Sequence, residues 1–210
     1  LHGTRSLGVL AAASPDAPPF SQHALEMFAS LAEQIGFALG NAQAHHEAGA
    51  KRSLEAELRN ASEIQRILLP EKSPDTSGLE IVGRNIPARL VSGDYYDFFP
   101  IGTAHVGIVI ADVCGKGIAA ALITAMCRSV LRSHARDLLS PASVLGAVNR
   151  SLFPEIREDM FITAAYIVAS ADGSSLALAR AGHTSPLHWR QRTGPVEEIA
   201  APGLAIGVDR

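Results

Sequence analysis

The first third of the chain is dominated by a helical spacing of apolar residues. This spacing predicts an amphipathic helix with a heptad-like stripe, and Ser21 is placed to cap its N-terminus. A polar stretch at residues 43–53 interrupts the stripe, which resumes from Leu54 to Leu68 and ends before Pro70. The stripe residues recur at intervals of three and four: Leu25, Phe28, Ala32, Ile35, Leu39 and Ala42.

Two interpretations of these helical segments stay open. One continuous helix would be about 70 Å long at about 1.5 Å per residue, which is too long to pack against a single domain of this size. A parallel coiled coil between two protomers would bury the stripe, so we predict a homodimer through this linker helix. The alternative is an ordinary amphipathic helix lying on its own domain. Gly49 leaves open whether the helix is continuous.

A short apolar run precedes the helix. Residues Leu7 to Ala12 predict a strand, and the proline-rich stretch at residues 14–19 predicts a loop. The chain does not begin with Met and opens on this predicted strand. We therefore expect it to be part of a longer protein.

The rest of the chain shows strand and helix patterns after a predicted loop at residues 71–78. Two helices are predicted, Gly117–Arg136 and Pro141–Phe153, the second with Ser140 as its N-cap. Strands, then two helices, then strands indicate an α+β fold with an antiparallel sheet. The predicted strands are Leu79–Pro87, Tyr95–Pro100, His105–Ile110, Phe161–Ser170 and Ser175–Ala181.

Composition and charge narrow the class of protein. The 210 residues are 47% hydrophobic and 19% charged, as in globular proteins, and the net charge of −3 gives no reason to expect nucleic acid as a partner. There is no signal-peptide pattern and no run of roughly 18 apolar residues, so no membrane span is predicted. The 2 cysteines suit a reduced, cytoplasmic protein without a disulfide.

Two aspartates at the ends of predicted strands are the candidates for chemistry. Asp112 follows the apolar run Ile108–Ala111, and Asp94 lies within the cluster Val91–Phe99. Both have glycines nearby, which allow close backbone approach. Mg²⁺ and Mn²⁺ prefer carboxylate and carbonyl oxygens, and such an ion makes a bound water more acidic and hence a nucleophile. The alternative is that each Asp only forms a turn or caps a helix.

Five sequence motifs carry a resemblance to a known family. They are IQRILLP, SGDYYDFF, ADVCGKGIAAAL, MFITAAYIV and AGHTSPL, in this order. Their order and spacing resemble the SpoIIE/RsbU-type branch of the metal-dependent PPM serine/threonine phosphatases. The resemblance implies an αββα sandwich with two Mn²⁺ or Mg²⁺ ions at its edge. It also implies hydrolysis of protein phosphoserine or phosphothreonine through a metal-bridging water.

The resemblance also implies roles for individual residues. Asp112 corresponds to the bridging metal ligand, the backbone carbonyl of Val113 to a further ligand, and Asp94 to the acidic residue of the upstream metal motif. Asp94 and Asp112 are therefore both catalytic and metal-binding candidates. Asp97 is a weaker candidate, for a supporting or structural role.

The later motifs contribute less to the predicted chemistry. Thr163 is interpreted as a core-strand residue, with a position facing the site as the alternative. His183 is interpreted as part of a structured turn and not as a general acid. Cys114 and Arg180 stand where the family more often has Ser and Asn, and neither change removes a metal ligand.

The resemblance further implies that aspartates of a TDG and a GDD-like motif complete the metal site in this family. These motifs follow the PGLAIGV segment, and the 210 residues stop at Arg210 before reaching them. We therefore expect the chain by itself to bind metal weakly and to hydrolyse poorly.

The N-terminal pattern LGVLAAAS, proline loop, PFS and helix resembles the C-terminal end of a GAF sensory domain. We predict a GAF-like remnant at residues 1–43, a coiled-coil linker helix at 44–70 and the N-terminal portion of a PPM-type phosphatase domain at 71–210. The resemblance implies a bacterial signalling phosphatase acting on a phosphorylated STAS-type anti-sigma-factor antagonist. The alternative is a non-catalytic signalling or dimerisation module with a phosphatase-like fold.

Overall fold

A computed structural model describes residues 7–13, 20–87, 90–190 and 194–209 of the chain. The chain divides into two compact units, Leu1–Glu57 and Leu58–Arg210. The elements of the described residues are α1 (Gln22–Leu68), β1 (Asp94–Ile101), β2 (His105–Val113), α2 (Ile118–His134), α3 (Pro141–Leu152), β3 (Ile162–Ser170), β4 (Leu176–Ala181), β5 (Leu187–Trp189) and β6 (Val196–Glu198).

Helix α1 is continuous over 47 residues and passes through Gly49 without a break. The Ser21 hydroxyl accepts a hydrogen bond from the Ala24 N–H at 3.2 Å, which confirms the predicted N-cap. Much of the apolar stripe faces solvent, since Ile35 is 43% and Leu39 52% exposed. The question left open at Gly49 is thus answered in favour of one continuous helix, because a polar stretch with one glycine costs too little to break a long helix.

The predicted strand at Leu7–Ala12 is not formed. Residues 7–13 have no regular secondary structure and lie beside α1, where Leu7, Ile35 and Leu39 line a shared groove. A strand needs a partner for its backbone groups, and the described part of this unit contains none. The predicted loop at 14–19 lies outside the described residues.

The second unit is built on an antiparallel sheet with strand order β1-β2-β3-β4. Four of the five predicted strands correspond to β1–β4, and their predicted bounds lie within a few residues of the observed ones. Helices α2 and α3 connect β2 to β3, and the Ser140 hydroxyl accepts a bond from the Ser143 N–H at 3.3 Å, as predicted for the cap of α3. The α+β prediction with an antiparallel sheet is confirmed. β5 and β6 form a separate two-stranded sheet.

The predicted strand at Leu79–Pro87 is wrong. This segment has no regular structure and does not pair with the edge of β1. Gly83 lies against the ring of Tyr96, and the Asn85 amide donates to the Asp94 carbonyl at 3.3 Å. These contacts place the segment on the sheet face from which Tyr96 projects, although Val82 and Ile86 stay largely exposed there.

The hydrophobic core lies between the sheet and helices α2 and α3. Alternate residues of β1, β2 and β3 point to this side, and burial of each large side chain stabilises the fold by about 1.5–3 kcal/mol. None of the helices in the described residues combines the length and apolar character needed to cross a bilayer. Core residues include Tyr95, Phe99, Val109, Val113, Leu131, Val144, Val148, Leu152, Ile162 and Tyr166.

Candidate metal centre

The register of the sheet brings the two predicted aspartates together. Asp94, the first residue of β1, is paired with Asp112 near the end of β2, and Asp112 is paired with Thr163 near the start of β3. Directly opposite residues of antiparallel strands project on the same face with Cβ atoms about 4.5–5.5 Å apart. Both aspartates are exposed. The two carboxylates therefore form a row with Thr163 at one end of the sheet.

A glycine turn ends β2 immediately after the site. Gly115 and Gly117 have φ values of +104° and +83°, a backbone region that residues with a Cβ rarely adopt. The chain can therefore reverse directly after Val113 and begin α2 at Ile118. The turn leaves the end of β2 open to solvent on the carboxylate side.

Gly93 brings the third predicted ligand to the same place. The Val113 N–H donates to the Gly93 carbonyl at 3.2 Å. A methyl group on Gly93 would lie 2.6 Å from the Val113 carbonyl oxygen and 3.3 Å from Oδ1 of Asp112. The Val113 carbonyl and the Asp112 carboxylate thus border the same glycine, and the structure places all three predicted ligands in one cluster.

The electrostatics of the cluster favour a cation. Partial burial of the carboxylate raises the pKa of Asp112, and the nearby negative charge of Asp94 raises it further, while His183 acts in the opposite direction. Two carboxylates that repel each other are stabilised by a shared positive ion. Asp94, Asp112 and His183 line a groove of about 320 Å³ together with Asn85 and Arg84.

The donor set fits part of the coordination shell of a hard cation. Carboxylate and carbonyl oxygens are the ligands that Mg²⁺ and Mn²⁺ prefer. Within the described residues no group of three or more His, Cys, Asp or Glu side chains is placed to hold a metal. The two carboxylates and the Val113 carbonyl have the chemistry to supply part of such a coordination shell.

Thr163 faces the site and contacts His183. The Thr163 hydroxyl lies 2.8 Å from Nδ1 of His183 and donates to the Asp112 carbonyl at 3.5 Å. Burial lowers the pKa of His183, although the negative charge of Asp112 acts against this. Of the two interpretations of Thr163, the structure supports a position facing the site, because the core side of β3 is occupied by its even-numbered neighbours.

Asp97 is placed away from the other two aspartates. Its side chain is 0% exposed and lies on the helix side of β1, where Arg132 and Tyr95 bind it. Alternating residues of a strand project to opposite faces, so Asp97 cannot share a face with Asp94. Its role is structural.

Three residues to which the sequence analysis gave no supporting role hold the site in place. The Gln65 amide, on α1, bonds the backbone of Ser92, and the Ser92 hydroxyl donates to Oδ2 of Asp94 at 2.9 Å. Arg180 donates to the carbonyls of Ala201 and His183, each at 2.6 Å, and so braces the His183 turn. The glutamine lies in a recognisable motif, but no local pattern indicates its distant partner.

The sheet with two helices and a carboxylate pair at its end defines a domain with the fold of PP2C-type phosphatases. The SiaA-PP2C domain of Pseudomonas aeruginosa has this fold, with a TM-score of 0.61 and 21% identity, over 75% of this chain and 64% of that chain. The chain belongs to the SpoIIE family, since the family profile described as Stage II sporulation protein E (SpoIIE) matches residues 102–210.

Two sequence relatives come from Bacillus subtilis (strain 168). Phosphoserine phosphatase RsbU is 30% identical over 196 residues, which are 93% of this chain and 58% of RsbU. Phosphoserine phosphatase RsbP is 28% identical over 162 residues, which are 75% of this chain and 40% of RsbP. The chain thus spans about half the length of these curated relatives. The predicted membership of the SpoIIE/RsbU-type group is confirmed.

Proposed function

We propose that the chain is part of a metal-dependent protein serine/threonine phosphatase that hydrolyses phosphoserine or phosphothreonine on a partner protein. The observation that carries this proposal is the pairing of Asp94 with Asp112 in the sheet register, with the Val113 carbonyl beside them. Two similar proteins are named phosphoserine phosphatases, which supports the substrate class.

Each group of the cluster has a definite task in this proposal. Asp94, Asp112 and the Val113 carbonyl would hold Mn²⁺ or Mg²⁺ ions, with two ions expected in the complete protein. A bound ion of this kind makes a coordinated water acidic enough to act as a nucleophile at neutral pH. The Ser92 hydroxyl orients the Asp94 carboxylate through a bond of 2.9 Å. Gly93 keeps the approach to Asp112 free of side-chain atoms.

The experiment uses the full-length protein, a phosphoserine protein substrate and Mn²⁺. We expect phosphate release that depends on Mn²⁺ and falls by at least about 100-fold in Asp112→Ala, because the paired carboxylate is lost. Asp159→Ala is the matched control, since Asp159 is exposed and pairs with Arg157. Absence of release would favour the non-catalytic signalling module, and equal release by Asp112→Ala would exclude the proposed role of Asp112.

The partner protein is also part of the proposal. The family resemblance points to a phosphorylated STAS-type anti-sigma-factor antagonist as the substrate. A panel of phosphorylated proteins with and without a STAS fold would test this choice, and faster release from the STAS-type protein is expected. Cytoplasmic location and the lack of nucleic-acid partners stay predictions.

We also propose that a second copy of the chain covers the stripe on α1. The helix has 47 residues, and Ile35 and Leu39 in the stripe are about half exposed. A coiled coil would bury such a stripe along the helix. Ile35→Glu should therefore convert a dimer to a monomer in light scattering, whereas Gln34→Glu, at an exposed position off the stripe, should not. A monomeric wild-type protein would exclude this dimer.

The domain boundaries remain those predicted from the sequence: a GAF-like remnant at residues 1–43, a linker helix at 44–70 and the phosphatase domain from 71. In this arrangement a signal received before residue 44 reaches the site through α1. Packing or register changes of such a helix are a known means of switching.

A further inference from the structure

Gln65 forms an unusual bond pattern with the loop that precedes Asp94. Its side-chain Nε2 donates to the Ser92 carbonyl at 2.6 Å, and its Oε1 accepts from the Ser92 N–H at 3.0 Å. The amide of one helical side chain thus satisfies both backbone groups of a single residue. A primary amide can do this because it carries a donor and an acceptor side by side.

Ser92 in turn holds the metal-ligand candidate. Its hydroxyl donates to Oδ2 of Asp94 at 2.9 Å and accepts from the Asp94 N–H at 3.1 Å. A change in the orientation of the Ser92 peptide would therefore move the carboxylate of Asp94. Gln65, Ser92 and Asp94 form a continuous path of hydrogen bonds from α1 to the site.

Gly93, which lies between Ser92 and Asp94, is held by strand β2 and helix α2. The Gly93 carbonyl accepts from the Val113 N–H at 3.2 Å and from the Thr124 hydroxyl at 3.0 Å. Strand β2 and helix α2 thus hold Gly93, while α1 holds Ser92. The position of the Asp94 carboxylate relative to Asp112 depends on both restraints.

We propose that Gln65 is a positioning residue for Asp94 and sets the affinity of the site for a divalent cation. This inference rests on the proposed function of the Asp94 and Asp112 pair. Gln65 does not touch the ion; it fixes the peptide whose side chain orients the ligand. Displacement of the last turns of α1 reaches the Asp94 carboxylate by this path.

Two substitutions separate the hydrogen bonds from the general fold. Gln65→Ala removes both bonds to Ser92. Gln65→Glu keeps the shape and the acceptor for the Ser92 N–H but cannot donate to the Ser92 carbonyl, where two oxygens would face each other. Glutamine, glutamate and alanine all support helices well, so α1 is retained in both variants.

The experiment measures Mn²⁺ binding to the full-length protein by the loss of the free-ion signal in electron paramagnetic resonance. Changes in groups that orient metal ligands typically weaken metal binding by 10- to 100-fold, and we expect a loss in this range, about tenfold or more, for Gln65→Ala and Gln65→Glu. Gln43→Ala is the matched control, because Gln43 on the same helix donates to the exposed Glu47 at 3.1 Å. It should bind Mn²⁺ like the wild type.

Phosphatase assays at increasing Mn²⁺ provide the second readout. For Gln65→Glu we expect the half-saturating Mn²⁺ concentration to rise while the rate at saturating Mn²⁺ returns to near the wild-type value. Unchanged Mn²⁺ affinity in a folded Gln65→Glu, or an equal loss in Gln43→Ala, would overturn the inference. If Asp112→Ala also binds Mn²⁺ like the wild type, the proposed function itself is wrong. If only the Gln65 variants bind Mn²⁺ like the wild type, the inference about Gln65 is wrong and the proposed function is unaffected.

Discussion

Arg132 binds Asp97 through two parallel hydrogen bonds, from Nε to Oδ2 at 2.7 Å and from Nη2 to Oδ1 at 2.8 Å. The pair joins helix α2 to strand β1. The Tyr95 hydroxyl donates to the same carboxylate at 2.8 Å, and Arg128 lies 3.7 Å from it. Burial raises the pKa of Tyr95 well above its usual range, and the charge of Asp97 adds to this effect. The pair holds the strand that carries Asp94 against the helix after Asp112.

Arg132→Ala should destabilise the protein by about 3 kcal/mol, because it leaves the fully buried Asp97 with weaker compensation. The value lies at the low end for a broken buried pair, since Arg128 and Tyr95 remain. Urea unfolding measures the change. Arg157→Ala is the control: Arg157 makes the same kind of two-bond pair with Asp159, but its side chain is 75% exposed. It should cost no more than about 1 kcal/mol. Equal costs would contradict the structural role of Asp97.

Gly93→Ala should destabilise the protein by about 1–3 kcal/mol and weaken Mn²⁺ binding, because the new methyl group would lie 2.6 Å from the Val113 carbonyl oxygen. Backbone atoms cannot move away as a side chain can. Thermal unfolding and Mn²⁺ titration measure the two effects. Gly146→Ala, where the nearest atom would be 3.5 Å away in helix α3, should leave Mn²⁺ binding unchanged. Normal Mn²⁺ binding by Gly93→Ala would argue against the proposed ligand cluster.

Asp112→Asn should have opposite effects on stability without and with metal. Without metal it removes a like charge opposite Asp94 and should stabilise the protein by about 0.2–1 kcal/mol. With Mn²⁺ at about 100 times its dissociation constant, the wild type should gain about 2.7 kcal/mol, and the variant far less. Thermal unfolding with EDTA and with Mn²⁺ tests both statements. A variant that gains as much from Mn²⁺ as the wild type would place the metal elsewhere.

The turn between β3 and β4 should contribute a pH-dependent stability. Hydrogen bonds from the Ser174 N–H at 3.0 Å and the Ser174 hydroxyl at 2.8 Å lower the pKa of Asp172 to about 2. Because the folded-state pKa lies below the unfolded value, the stabilisation is complete above about pH 4 and is lost as the pH falls toward 2. A carbon-detected NMR titration of Asp172 should show this low pKa in the wild type. A normal value near 4 would exclude the turn contacts in solution.

The two thiols should differ in reactivity. Burial raises the pKa of Cys127 to about 12, whereas Cys114 is only half-buried. Because the thiolate is the reactive form, iodoacetamide at pH 8 should modify Cys114 in the folded protein and Cys127 only after unfolding. Mass spectrometry of the digested protein measures both sites. Cys114→Ser is the control, and it should leave the native protein unmodified. Rapid modification of native Cys127 would contradict its core position.

Local patterns were sufficient for most of the secondary structure. The stripe of α1 and the caps at Ser21 and Ser140 follow from spacing and from short-range hydrogen bonds, which depend on neighbouring residues. The strands β1–β4 were indicated by apolar runs between turn residues. The predicted strands at Leu7–Ala12 and Leu79–Pro87 failed for the opposite reason. An apolar run becomes a strand only where another strand can pair with it, and pairing is a property of the whole fold.

The sequence by itself determined the metal-ligand candidates Asp94, Asp112 and Val113, because they lie at strand ends within recognisable motifs. Only the tertiary structure decided that the two aspartates face each other, since the register of β1 with β2 sets which residues are opposite. It also decided the contacts of Gln65 with Ser92 and of Arg132 with Asp97, which are 27 and 35 residues apart. Such contacts depend on how helices pack against the sheet, and no local pattern records that packing.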